Sequence, residues 1–175
     1  MVSSRPPDTS IPPPPGLPRE ERLGTLAALV RAQDDVIALA RLTIKVFDID
    51  LSWGGWNSAE RTDAVAAFLR RSPGARFDII VHDTRWIESF GARVTALLAR
   101  HSHAMKIYRT SGGARAAMDP LLIVDDVHFV HRFHVDHPAG KLSIGSPERA
   151  KALVERFNEI WESGEPGVTG TVLGL

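Results

Sequence analysis

Apolar residues along this chain change their spacing several times, and each change marks an element. From Arg19 to Ala40, Leu23, Leu26, Val30 and Ile37 recur near one face of a helix. Leu42 to Ile49 then reads as a strand, followed by the loop DLSWGGWN. A helix is expected from about Ser58 to Arg71, with Val65, Phe68 and Leu69 as its buried stripe and Asn57 and Glu60 spaced as a capping box. Pro73-Gly74 ends it. Arg76 to His82 is a strand, and Thr84 to His101 a helix in which Ile87, Phe90, Val94, Leu97 and Leu98 keep helical spacing. A short strand, Ala104 to Arg109, precedes the Gly112-Gly113 loop. LLIVDD and VHFVHRF are two β runs with almost nothing between them, which predicts a hairpin or a bent strand. A further strand runs from Lys141 to Ile144. In the last helix Ser146 caps, Pro147 takes the first position, and Ala150, Leu153, Val154, Phe157, Ile160 and Trp161 form the apolar face.

Strands alternating with helices imply an α/β fold, a three-layer α/β/α sandwich on a mixed, mainly parallel sheet. The 43% hydrophobic content of 175 residues suffices for one core. One domain over residues 19–163 is therefore expected, between a disordered or polyproline-II tail over 1–18, which contains SIPPPPGLP, and a flexible tail over 164–175. The absence of cysteine removes disulfide and thiolate chemistry. No apolar run approaches the ~20 residues that span a bilayer, and no signal pattern opens the chain, so a cytoplasmic protein without a membrane partner is expected. The formal charge is zero, yet Arg85, Arg93, Arg100, Lys106, Arg109 and Arg115 face Glu88 alone over residues 85–115. Such a run either lines a surface for an anionic ligand or nucleic acid, or is a solvated helix face.

The segment from Pro120 to Trp161 carries a resemblance. An apolar strand closing on Asp125-Asp126, a second strand, and a Gly145-Ser146 entry into a helix with Phe157 and Trp161 resemble the end of a phospholipase D-like module. ALARLTIKVFDIDL resembles its helix-to-first-strand passage, and the likeness extends from about Leu23 to Trp161. The resemblance implies chemistry by His-x-Lys-x4-Asp, in which the His attacks phosphorus, the Lys holds phosphate oxygens and the Asp orients a His. Matching Asp125 to that Asp puts Met118 at the His position and Pro120 at the Lys position. No His in the chain has a Lys two residues later, so a shift of register does not recover the motif. Within the superfamily the chain most resembles a bacterial group of similar length that also lacks the motif. The implied function is a catalytically degenerate binding or scaffold module with no catalytic residue and no cofactor. Because such modules pair two halves, the resemblance also implies a homodimer.

Two other readings compete. FDID, with Asp48 and Asp50, and IVDD, with Asp125 and Asp126, also resemble the haloacid dehalogenase-type phosphatases. That resemblance implies Asp48 as nucleophile, Asp50 as acid/base, Mg²⁺ held by Asp48, Asp125 and Asp126, and Lys106 on the phosphate. Against it, Leu51-Ser52 follows where turn residues are expected, and a long helix precedes the first strand. The third reading is a protein-interaction module using Trp53, Trp56 and the Pro-rich tail. Asp48, Asp50, Asp83, Asp125 and Asp126 all stand where strands should end, the usual ligand rim of an α/β sheet; the alternative is that they cap helices and turns. Trp53 and Trp56 flank Gly54-Gly55 as a stacking platform or as a lid on the core. Arg132 is a candidate anion ligand or a partner for an Asp. His128, His131, His134 and His137 recur every third residue, so a strand cannot aim them all at one metal; His128 with His134, or His134, Asp136 and His137, are the sets that could converge.

Overall fold

The computed structural model describes residues 18–170. Eight strands form one sheet: β1 (Arg19–Leu23), β2 (Thr43–Asp48), β3 (Arg76–Val81), β4 (Met105–Arg109), β5 (Leu121–Val124), β6 (His128–Arg132), β7 (Gly140–Ile144) and β8 (Glu165–Val168). Their order is β1-β7-β6-β5-β2-β3-β4-β8. The helices are α1 (Leu26–Ala38), α2 (Ala59–Arg71), α3 (Arg85–Phe90), α4 (Ala92–Arg100) and α5 (Pro147–Glu162). Among the described residues no helix is long and apolar enough to cross a membrane.

The sheet is mixed but mostly antiparallel, which corrects the expectation of a mainly parallel one. β2 pairs with β3, and β3 with β4, in parallel, and the other five neighbouring pairs are antiparallel. The reason lies in the connections. The segments joining β5 to β6 and β6 to β7 are too short for the crossover that a parallel pair requires, so the second half of the chain folds as a meander.

Alternate residues of the central strands feed two apolar clusters. Ile44, Val46, Phe77, Ile79, Val81, Leu122, Val124 and Val130 pack with the buried faces of α1, α2 and α4. Phe47, Ile80, Leu121, Ile123 and Phe129 pack with Ala150, Phe157 and Ile160 of α5. The period of two in the strands thus gives each face of the sheet its own core.

Four boundaries differ from the sequence reading. The helix expected from Arg19 starts at Leu26, because Thr25 caps it by accepting from the Ala28 N–H at 3.1 Å. Residues 19–23 instead pair antiparallel with β7. The Leu23/Leu26 spacing that mimicked a helix belongs to two elements. The expected helix from Thr84 to His101 breaks at Gly91, where an added Cβ would lie 2.7 Å from the Ile87 carbonyl oxygen. Ser58, accepting from the Arg61 N–H, caps α2, while Asn57 Oδ1 accepts from the Arg93 N–H at 2.8 Å and so joins α2's entry to α4. Residues 165–168, expected within a C-terminal tail, form β8 on the free edge of β4, where Arg109 and Glu165 pair at 2.6 Å. The N-terminal tail over 1–18 lies, but for Pro18, outside the described residues.

Phe157 is 2% exposed and stacks on Trp161 at 5.8 Å between centroids; Trp161 in turn stacks on Tyr108 of β4 at 4.3 Å. The ring thus ties α5 to the sheet. Phe157→Ala should cost about 3 to 5 kcal/mol in denaturant titration, and a loss below about 1 kcal/mol would show that the ring does not carry α5.

Candidate functional site

The three strands that run in parallel, β2, β3 and β4, end on one rim, and β5 begins there because it runs antiparallel to β2 with Leu121 opposite Phe47. Asp48, the last residue of β2, is 1% exposed. Its Oδ1 accepts from the Trp53 Nε1–H at 2.9 Å and from the Ile49 N–H at 2.6 Å. Burial pushes its pKa up to about 7, against the opposing pull of those two hydrogen bonds. The β2–α2 loop reaches this arrangement through Leu51 at φ 69°, and it lays the Trp53 ring beneath the Arg132 guanidinium, 4.6 Å from the ring centroid. Arg132 is buried, donating Nε–H to the His137 carbonyl at 2.7 Å and Nη2–H to that of Val135. It closes the β6–β7 loop over the rim.

Asp48, Trp53 and Arg132 therefore converge on this rim. Trp56 does not join them. Its indole is buried, stacked on Phe77 at 5.9 Å and covered by Arg61 at 4.8 Å. An added Cβ at Gly54 would lie 2.9 Å from the Trp56 Nε1, so the diglycine seats this indole against the core. Trp56 is thus part of the core, and of the two indoles only Trp53 lies on the rim. Asp50 accepts from the Ser52 N–H and shapes the same loop. Asp83 binds Arg85 through both its guanidinium and its backbone N–H, which holds the carboxyl down at about 2.

Asp125 and Asp126 sit at the other end of the sheet. The Asp125 Oδ1 accepts from the N–H groups of Leu42 and Thr43 at 2.7 and 2.8 Å, and Oδ2 from that of Arg41 at 2.9 Å. Asp126 pairs with Lys45 at 2.6 Å. These contacts lie beside Thr43, at the start of β2, whereas Asp48 ends it. Five residues of extended chain separate the two acidic pairs by roughly 16 Å. The Mg²⁺ set of Asp48, Asp125 and Asp126 is accordingly not assembled, and Asp125 holds backbone and not a His. Among the described residues no three His, Asp or Glu side chains are placed to hold a metal. His128 Nδ1 accepts from the Gly145 N–H, and His134 Nδ1 accepts from the Asp136 N–H and lies 3.5 Å from the Asp136 carboxylate.

Several polar residues on this rim escaped the sequence reading. Asp119, between Met118 and Pro120, binds His131 Nε2 at 2.9 Å, Arg156 Nε at 3.0 Å and Arg156 Nη2. Burial raises its pKa, but the hydrogen bonds from His131 and Arg156 outweigh burial and keep it below the usual carboxylate range. His82 is bound on both nitrogens, by Thr110 Oγ1 at 2.6 Å and by the Ala117 carbonyl at 2.6 Å. A carbonyl only accepts, so Nε2 carries the proton. Arg61, 2% exposed, joins α2 to α1 through Asp34 and Gln33 and to the β2–α2 loop through the Gly54 carbonyl. The pairing of Asp119 with Arg156 spans 37 residues, and no local pattern signals it.

The fold is that of phospholipase D-like proteins of known structure. The solved structures it resembles include an archaeal chromatin protein, TrmBL2, described as showing a novel mode of DNA binding (TM-score 0.63, 15% identity, 85% of this chain and 54% of that one). They also include the phospholipase D family member Nuc from Salmonella typhimurium (0.61, 16%, 87% and 99%) and NucT from Helicobacter pylori (0.59, 12%, 86% and 99%). The chain thus spans about half of the chromatin protein and nearly all of Nuc. No curated protein matches the sequence significantly. The model of a family described as a domain of unknown function, DUF7931, matches residues 25–169, and the chain belongs to that family.

The buried Asp48 makes a test of the rim's electrostatics. Because its folded pKa lies above its unfolded value, the native state binds the extra proton between about pH 4 and pH 7, and stability falls as pH rises through that window. Asp48→Asn keeps an Oδ1 acceptor for Trp53 and Ile49. Its stability relative to the wild type should therefore grow across that window by about 2 to 4 kcal/mol and level off above pH 7. A difference that does not change with pH would mean that Asp48 is not held protonated.

Proposed function

We propose that this chain is a non-hydrolytic phospholipase D-like module that binds a partner through its folded surface, in a bacterial cytoplasm, as a homodimer. The observation that carries this reading is the content of the rim. Met118 and Pro120 stand where the resemblance puts the attacking His and the phosphate-binding Lys, and the acid between them, Asp119, is taken up by His131 and Arg156. The third motif residue, Asp125, is engaged by three backbone N–H groups. No side chain at the motif positions is left to attack phosphorus.

The dimer rests on two supports. The fold unit stands almost alone in Nuc and NucT, whereas it matches 42% of the phosphatidylserine synthase of Haemophilus influenzae. Met118 and Phe133, both exposed, lie together on the rim: the Val135 N–H donates to the Met118 carbonyl at 2.7 Å, and Phe133 packs edge-on to His131. An apolar pair beside the strand ends suits a second copy of the same rim.

The full chain, incubated with bis(p-nitrophenyl) phosphate, should release no nitrophenol and gain no phosphoryl mass, while sedimenting at micromolar concentration as two chains. Turnover that His131→Ala abolishes would overturn the non-hydrolytic reading. A species of one chain mass would overturn the dimer.

A further inference from the structure

The described residues hold a second concentration of polar groups, along α2 and α4. Where α2 and α4 end and β3 and β4 begin, a hollow of about 630 Å³ is lined by Arg70, Arg76, Arg100, His101 and His103. A smaller hollow of about 220 Å³ between α2 and α4 continues it, sharing Arg70, Arg100 and His101 and adding Arg93. Asp63 is the one acid on either lining. Arg93 and Arg100 are seven residues apart on α4, hence on one face and roughly 10 Å apart along the axis.

These arginines differ from Arg85 and Arg109 of the basic run. Arg85 and Arg109 are matched by Asp83 and Glu165, but among the described residues Arg70, Arg76, Arg93 and Arg100 have no carboxylate within salt-bridge distance. His101 reports the resulting potential. Burial, and then the charges of His103, Arg70 and Arg100, hold its imidazole below the usual histidine range. The chain as a whole is neutral, so this is a local accumulation and not a by-product of a basic protein.

We infer that the α2–α4 groove is a binding site for the phosphodiester backbone of double-stranded nucleic acid. Two contiguous hollows with cations along their length exceed what a single phosphate occupies. Apart from the two imidazoles the lining carries no aromatic ring to stack an unpaired base, which favours a duplex contacted through its phosphates. The larger hollow lies at the opposite end of β3 and β4 from the rim, whereas Arg93 stands at the start of α4, its N–H bound by Asn57 of the β2–α2 loop. The inference builds on the reading of the chain as a binding module and gives that module a ligand class and a place.

The test is fluorescence anisotropy of a labelled 20-base-pair duplex with the full chain across a salt series. Four phosphate contacts should give a slope of log affinity against log salt near −4, since each contributes about −0.9. Arg70→Ala with Arg100→Ala should lower affinity at least tenfold and flatten the slope by about 2, while Arg70→Lys with Arg100→Lys should restore both. Unchanged circular dichroism of these exposed-site variants establishes that they fold. Absence of duplex binding, or binding that the alanine pair leaves intact, would overturn the inference. Binding of phosphatidylserine vesicles without duplex binding would do the same and assign the groove to a membrane. Cleavage of the duplex would instead overturn the non-hydrolytic reading, and the groove would stand if the alanine pair still lost affinity.

Discussion

The carboxylate of Asp125 holds the chain to its topology. One side chain accepts from three successive N–H groups, those of Arg41, Leu42 and Thr43, and so fixes the first residues of β2 against the β5–β6 turn. That turn is tight: Asp125 and Asp126 both have positive φ, 54° and 58°, and the Val127 N–H closes it on the Val124 carbonyl. Asp tolerates this conformation better than a larger residue would. Lys45, paired with Asp126, adds a second tie between the same two strands. At this point the parallel strands meet the antiparallel meander, and an error in the β2–β5 register would turn every side chain of β5 to the wrong core.

From that register the rim follows. With Ile44 opposite Val124 and Phe47 opposite Leu121, the segment before β5 comes to lie beside Asp48, so Met118, Asp119 and Pro120 face the ends of the parallel strands. The rim is closed from two sides, by Arg132 over Trp53 on the α1 side and by Asp119 with His131 and Arg156 on the α5 side. Asp119 is engaged by His131 and Arg156, Arg132 by backbone carbonyls, and Asp48 by the Trp53 indole and a backbone N–H. Four arginines without a carboxylate at salt-bridge distance, Arg70, Arg76, Arg93 and Arg100, line the α2–α4 groove.

The fold was legible wherever local pattern and tertiary structure agree. The period-two runs of β2, β3, β5 and β6 and the stripe of α5 were read correctly, and Pro147 starts α5 as expected. β1 was missed because REERL carries no apolar alternation; its place comes from pairing with β7, and its charges, Glu20 with Lys141 and Arg149, suit an exposed edge. Sheet direction was misjudged because helix–strand alternation in the first half was extended over a second half whose connections are short. The acids were found but not sorted, since sequence alone does not say that β5 runs against β2 and carries Asp125 away from Asp48. The contacts of Asp119 and Arg61 are long-range and left no local trace. The run of arginines was visible from the start, whereas which of them remain unpaired depended on Asp83 and Glu165.

The central claim is that Asp125 is a structural clamp between the β5–β6 turn and the start of β2. Urea titration of Asp125→Gly tests it, because glycine accepts the positive φ and the change isolates the carboxylate. Three charge-assisted hydrogen bonds at a partly exposed site should make the loss about 2 to 4 kcal/mol, with the unfolding slope unchanged. A loss of no more than about 1 kcal/mol, the cost of the glycine alone, would contradict the account.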